Sequence, residues 1–340
     1  MRSHPRTGLT LLELLLVMTI LGIVFGLSLG AITGMDLAKG ADAEVLRGAL
    51  RAARTAALAE RHPAAMFVET DEETGHVSLV VQRMRTVGTW HFERPDGRGT
   101  DELTAEPLQG ARQVEDGFIG SALSFYGAGR GARAEIALQT QSRYDVRDGV
   151  SIEAMIRVED VRSGGTVFQF SGRTRICGLE VTQGGGLTGW VAPVFVDGTG
   201  RERAGGRVDI KLPAGTLEEG EWTRVALVYD RLQLRIVVDG FVAGVTAGEG
   251  ELGTIDGPLV IGGDPLPFQG VLDELVVRIV ERSEPVPLSQ NAVWPEGLPV
   301  VVPFDADGSI DTLLAQGPYE FVLPTDPDET VRVGRTGVVE

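Results

Sequence analysis

Glu221-Trp222-Thr223-Arg224-Val225-Ala226-Leu227-Val228-Tyr229-Asp230, with Leu234-Arg235-Ile236-Val237-Val238-Asp239-Gly240 close behind it, decides the fold. The two runs read as strands, and Asp239-Gly240 is most simply a hairpin turn. Upstream, residues 150–159 alternate. Ile152, Ala154, Ile156 and Val158 fall on one face, and Glu153, Arg157 and Glu159 on the other. With 46 glycines and 6% aromatic residues, the chain has the composition of a turn-rich β protein.

Three further stretches extend the pattern: Gly117-Phe118-Ile119-Gly120-Ser121-Ala122-Leu123-Ser124-Phe125, Leu259-Val260-Ile261-Gly262-Gly263 and Phe268-Gln269-Gly270-Val271-Leu272-Asp273-Glu274-Leu275. A tryptophan strand, a strand ending in Asp-Gly, a glycine pair and a Gly-x-x-Asp-Glu strand are specific together in that order. Over residues 110–288 the chain resembles a laminin G-like, concanavalin-type jelly roll. The resemblance implies an all-β sandwich. It also makes Asp273-Glu274 a hallmark whose role is structural, with a carboxylate bonding nearby backbone amides. Some laminin G-like domains bind calcium through loop carboxylates and carbonyls, and Asp197 or Asp264 are the candidates for that here. No other cofactor is implied. Trp190 is a candidate for stacking on a sugar ring, the alternative being a half-buried indole.

The N-terminus carries a different signal. A short basic leader ends at Gly8, and an apolar run follows that is broken once, by Glu13. Residues 14–35 hold no charge and as a helix reach roughly 33 Å, enough to cross a bilayer core. A lone carboxylate at the edge of such a helix is costly in lipid and needs a partner. The segment resembles the type IV prepilin leader of pilins and of type II secretion pseudopilins. That resemblance implies cleavage by a prepilin peptidase between Gly8 and Leu9, methylation of the new amine, and attraction of a neighbouring subunit's amine by Glu13. Leu9 stands where most of that family has Phe. Gly22, Gly26, Gly30 and Gly34 recur at spacing four along one helix side, a stripe that admits close helix packing; alternatively they only soften the helix. Arg2 and Arg6 should stay cytoplasmic, which puts everything after about residue 35 in the periplasm or outside the cell.

Helical spacing continues to about Arg61, and Pro63 ends it. Val45, Ala49, Ala52, Ala53, Ala56 and Ala57 make a small-residue face, opposite Glu44, Arg47, Arg51 and Arg54. Residues 64–69 and 76–81 read as a hairpin about a Thr70–Gly75 turn, with a further strand near Trp90-His91-Phe92. This helix and hairpin, and the closing run through Phe304, Tyr319–Leu323 and Val331–Gly337, resemble the minor pseudopilin placed near the filament tip. The expected fold is therefore α+β: a long N-terminal transmembrane helix and a small antiparallel pseudopilin β head split by an inserted jelly roll. The expected segments are leader 1–8, membrane span 9–35, extracytoplasmic helix 36–62, head 63–109 with 289–340, and jelly roll 110–288. The alternative is three modules in series, which the alternation of Phe321/Leu323 and Val331/Val333 opposes.

A net charge of −17, or −19 once Arg2 and Arg6 leave with the leader, argues against nucleic acid as a partner. The single cysteine, Cys177, leaves folding to core burial, as a buried thiol. Gly26-Leu27-Ser28-Leu29-Gly30 matches a nucleophile elbow but lies mid-membrane with no strand before it. Glu69-Thr70-Asp71-Glu72-Glu73 has glucanase-like carboxylate spacing but lies outside the jelly roll and runs into a turn. The four histidines lack metal-ligand spacing. No enzyme emerges. Two classes remain: a minor pseudopilin or pilin-like subunit in the bacterial inner membrane, and a membrane-tethered lectin-like module that never joins a filament. The partners expected are prepilin peptidase, other pilin-like subunits, and a glycan or extracellular protein at the jelly roll. Glu13 separates the two classes, because only filament entry uses it.

Overall fold

The computed structural model describes residues 41–340 except 72, 95–96, 101–102, 130, 141, 171–175, 197–201, 264–265 and 316. The expected span 9–35 and Gly8, Leu9, Glu13, Gly22, Gly26, Gly30 and Gly34 lie outside the described residues. Among the described residues no helix is long and apolar enough to cross a membrane. The chain forms two compact units: one takes the chain up to Val81 and again from Ser283 to Glu340, and the other is Gln82–Arg282.

In the first unit, helix α1 (Ala41–Glu60) buries Ala43, Leu46, Ala49, Leu50, Ala53 and Ala57. They pack with Met66, Leu79, Val302, Phe304, Phe321 and Val331 into one core. The buried stripe differs from the expected small-residue face. Ala52 is exposed, Val45 and Ala56 sit at the edges, and Leu46 and Leu50 take the centre. Leucines bury far more apolar area than alanines, so they set which side faces inward. The helix ends where Arg61 turns left-handed at φ 52, ahead of Pro63. Strand Ala64–Thr70 pairs antiparallel with Val301–Phe304, and Tyr319–Leu323 with Asp326–Val333. Phe321, Leu323, Val331 and Val333 are all buried, as their alternation required.

The strand that begins at Val77 does not stop at Val81. It runs without interruption as Val77–Trp90, so the separate strand expected near residue 90 is its end. Its residues 82–90 pair antiparallel with the Gly270–Arg282 strand inside the second unit. Glu106–Leu108, expected in the head, also pairs within that unit.

The second unit is a two-sheet sandwich. One sheet runs Phe241–Ala247, Gln233–Val238, Trp222–Tyr229, Val150–Val158, Gly270–Arg282 and on to residues 82–90. The other runs Val208–Leu212, Gly186–Val191, Cys177–Thr182, Gly165–Phe170, Leu259–Gly262, Arg133–Ile136 and Glu106–Leu108. Ile152, Ala154, Ile156 and Val158 face the shared core with Phe168, Leu227, Ile236, Leu272 and Val277. The sheets meet closely at Gly189, where a Cβ would lie 2.6 Å from Leu227 Cδ1 and 2.9 Å from Ile236 Cγ1. Asp239-Gly240 makes the expected turn, both residues at positive φ, with the Asp239 carboxylate accepting the Arg224 N–H at 2.9 Å. Cys177 is a buried free thiol, and burial pushes its pKa well above the ordinary range. Ellman's reagent is expected to leave it untouched in native protein and to modify it only in denaturant; stoichiometric reaction in buffer alone would overturn this placement.

Candidate functional site

The site is built on the outer face of the first-named sheet of the second unit, around the Gly270–Arg282 strand. Leu272 points into the core, so Asp273 falls on the opposite face. A bulge then intervenes, with Glu274 at φ 51. Asp273 is fully buried. Its carboxylate accepts the Glu274 N–H at 2.7 Å and the Ile119 N–H at 3.0 Å, the structural role expected of it. Desolvation outweighs those bonds and pushes its pKa up to about 6. The face expected to be polar along 150–159 is therefore partly covered, and Ser151 and Met155 are buried on it.

What Asp273 holds is the loop of residues 115–121. The Gly117 N–H closes a turn onto the Gly120 carbonyl at 2.9 Å, and the Ser121 N–H donates to Glu93 Oε1 at 3.2 Å. Pinned in this way, the loop presents Phe118 and Ile119 outward, 45% and 57% exposed. The Phe118 ring meets half-buried Trp222 edge-on, with centroids 6.0 Å apart and planes at 66°. Trp222 stands opposite Arg157 in the sheet, whose guanidinium lies 5.0 Å from the indole centroid. Arg157 in turn donates to Asp116 Oδ2 at 2.8 Å and to Glu159 Oε1 at 2.7 Å.

Beside the loop is a pocket of about 420 Å³ lined by Thr89, His91, Phe92, Glu93, Arg94, Arg98, Gly99 and Thr100. His91 Nδ1 lies 2.9 Å from each carboxylate oxygen of Glu274. Phe92 and Glu274 both sit at positive φ without being glycine, a conformation that costs energy and gathers at binding sites.

Trp190 lies in a strand rather than a loop and is 2% exposed. It stands opposite Gly178, where a Cβ would come within 2.9 Å of the indole, and the Arg207 guanidinium sits 4.6 Å from its centroid. Its Nε1–H donates to Glu180. This is the burial alternative carried further than expected, and stacking on a sugar would require Arg207 to leave. Asp197 and Asp264 lie outside the described residues. No group of three or more His, Cys, Asp or Glu suited to a metal occurs among the described ones. Asp71, of the glucanase-like spacing, accepts the Glu73 and Thr74 N–H groups and so caps its own turn.

Residues 130–284 match the family described as the concanavalin A-like lectin/glucanases superfamily. Residues 4–29 match the prokaryotic N-terminal methylation motif. This chain carries a prepilin-type N-terminus and a concanavalin-like domain. No curated protein matches it by sequence. Among solved structures it is similar to domain 4 of AbnA, a GH43 extracellular arabinanase from Geobacillus stearothermophilus, in complex with arabinotriose. Identity there is 15% over 61% of this chain and 95% of that one, with a TM-score of 0.41. It is also similar to the binding domain of botulinum neurotoxin serotype D, at 11% identity over 56% of this chain and 47% of that one, with a TM-score of 0.42. The binding domain of Paraclostridial Mosquitocidal Protein 1 gives 11% identity over 56% and 48%, with a TM-score of 0.41. The chain thus spans about half the length of the last two.

Sequence pattern did not single out Phe118 and Ile119, which were quoted only within the Gly117–Phe125 stretch. The signal present is the pair of glycines, Gly117 and Gly120, which mark a turn rather than a strand around Phe118 and Ile119.

Proposed function

We propose that this chain is a minor pseudopilin or pilin-like subunit of a type II secretion or type IV pilus-like assembly. It is anchored by a single pass in the bacterial cytoplasmic membrane. Its second unit is displayed outside the cytoplasm as a binding module for a glycan or an extracellular protein. The observation that carries this reading is the methylation motif at residues 4–29 on the same chain as a concanavalin-like domain. Within the motif, Gly8-Leu9 is the cleavage and methylation point, and Glu13 is the partner of a neighbouring subunit's amine. Gly22 and Gly26, with Gly30 and Gly34 beyond, line the helix-packing stripe.

Helix α1, packed on a small antiparallel β structure, supports the head assignment. The chain leaves that unit after Val81 and re-enters it at Ser283, which is how a domain inserted in a surface loop reads. No catalytic role is assigned, and calcium at Asp197 or Asp264 stays outside the proposal. The second reading, a tethered lectin-like module that never enters a filament, is favoured by the exposed Phe118 side chain on the 115–121 loop.

Cross-linking mass spectrometry on the protein in its own membrane tests the choice. The subunit reading expects a methylated Leu9 at the mature N-terminus and cross-links from residues 44–61 to other pilin-like helices. Cleavage before Leu9 with no such neighbours would replace it with the tethered module.

A further inference from the structure

We infer that the outer edge of the Phe241–Ala247 strand takes up, by strand addition, an extended segment of another protein that is apolar in its middle and carries Lys or Arg at each end. The inference rests on the reading of the second unit as a binding module and names its partner. Three observations carry it.

The first is an unguarded edge. Phe241–Ala247 ends its sheet and pairs on one side, with Gln233–Val238. Among the described residues no other strand pairs with it. Such an edge leaves a row of N–H and C=O groups open to pairing, and folded proteins ordinarily blunt it with charges or proline. The other sheet of this unit does so at both ends. Asp209 and Lys211 stand in Val208–Leu212, and Glu106 and Pro107 in Glu106–Leu108. The seven residues Phe241–Ala247 hold neither charge nor proline.

The second is what the edge shows. Phe241 is 78% exposed, the most of any large apolar side chain among the described residues, and Val242 and Val245 are 40% and 38% exposed. The ladder slips at Ala243, so Val242 stands opposite Val237, Val245 opposite Arg235 and Ala247 opposite Gln233. Without the extra residue Val245 and Ala247 would fall on the face opposite to Val242; with it the three share one. An added strand therefore meets open backbone groups along the edge and an apolar row beside them, which give affinity and side-chain selection respectively.

The third is charge, which names the occupant. Exposed Asp239 and Glu249 flank the strand, each five residues from Gly244. A second copy paired antiparallel about Gly244 would set Asp239 against Glu249 at both ends, and like charges facing across strands repel. Whole copies, each of net charge −17, repel as well. A segment with a cation at each end meets attraction at the same two places.

The test is fluorescence anisotropy of a labelled peptide titrated with the full chain in detergent micelles. The peptide is seven alternating valines and threonines, with a glycine and then a lysine added at each end. It is expected to bind and to slow amide exchange within residues 241–247. Replacing its lysines by glutamates should weaken binding about tenfold, and N-methylating its seven central amides should abolish it. Val245→Lys, which puts a guard on the edge, should weaken binding about tenfold with melting unchanged. Failure of the lysine peptide to bind, or binding that leaves exchange at 241–247 unaltered, overturns the inference. Equal binding of the glutamate peptide overturns the cationic class. Sedimentation that finds the chain alone to be a dimer, dissolved by Val245→Lys, overturns the occupant in favour of a second copy. The subunit assignment, read by cross-linking, is untouched by any of these results.

Discussion

Asp42→Ala is expected to cost about 3 kcal/mol of stability in the first unit, a drop of roughly 10 °C in its melting temperature. Asp42 is buried at the start of α1. Its carboxylate accepts the Ser289 N–H at 2.8 Å, the Ser289 hydroxyl at 2.7 Å and the Thr325 hydroxyl at 2.7 Å. One residue on, the Ala43 N–H donates to Asp326 Oδ2 at 3.1 Å, so the first turn of the helix is tied to the closing strands by two carboxylates. Removing Asp42 leaves three part-buried donors, two on exposed Ser289 and one on Thr325, without their carboxylate, each worth about 1 kcal/mol. Burial works against ionisation of Asp42, but the bonds to Ser289 and Thr325 outweigh it and hold its pKa below the ordinary value. The sign follows. This stabilisation is present above the unfolded Asp pKa near 3.9 and is lost as pH falls through the lowered folded value. The deficit of the variant should therefore be full at pH 7 and shrink below about pH 4. A loss under about 1 kcal/mol at pH 7 in calorimetric melts would sink the account.

Local pattern shows what it can and stops at the same physical boundary throughout. Alternation in residues 150–159 and the two apolar runs within 221–240 were enough to place sandwich strands, although both faces of those strands are largely buried. Asp239-Gly240 was enough to place a hairpin, because few other pairs accept two positive φ values. Asp42 was not legible. Its partners lie 247 and 283 positions further along the chain, and nothing near residue 42 signals them. Nor was the length of the strand that ends at Trp90. Gln82 donates to the Asp230 carbonyl and Met84 packs with Ala226, Val228 and Val280, all far along the chain, so nothing local carried the strand past Val81. The same holds at the site. The Asp-Glu pair in the Gly270 strand was visible as a motif, but the loop it holds lies 154 residues earlier.

Asp273→Asn is expected to stabilise the second unit at neutral pH, an unusual result for a motif residue. In the fold the Asp273 carboxyl titrates near pH 6, against 3.8 when exposed. Its folded pKa is raised, so the native state holds a proton that the unfolded chain has given up between those values. Stability from this group is therefore greatest below about pH 4, falls as pH rises through 6, and is flat above that. The full span is about 3 kcal/mol, since each unit is worth about 1.4. Asparagine keeps an acceptor oxygen for an amide and carries no charge at any pH, so it imitates the protonated acid. The two proteins should melt alike near pH 4 and separate up to about pH 7, with the variant higher. Because Asn offers one acceptor where the carboxylate offers two, its hold on the Ile119 or Glu274 amide is weaker, a cost already contained in that span because those bonds help set the folded pKa. What a permanent carboxylate supplies at neutral pH is that double hold, and with it the fixed posture of Phe118. The prediction thus has a second arm: at pH 7 Asp273→Asn should be more stable yet hold the 115–121 loop less firmly, read as faster amide exchange at Ile119 than in the parent. Parallel melting profiles from pH 4 to 7 would mean that Asp273 is not a buried acid, and that the loop is held by other means.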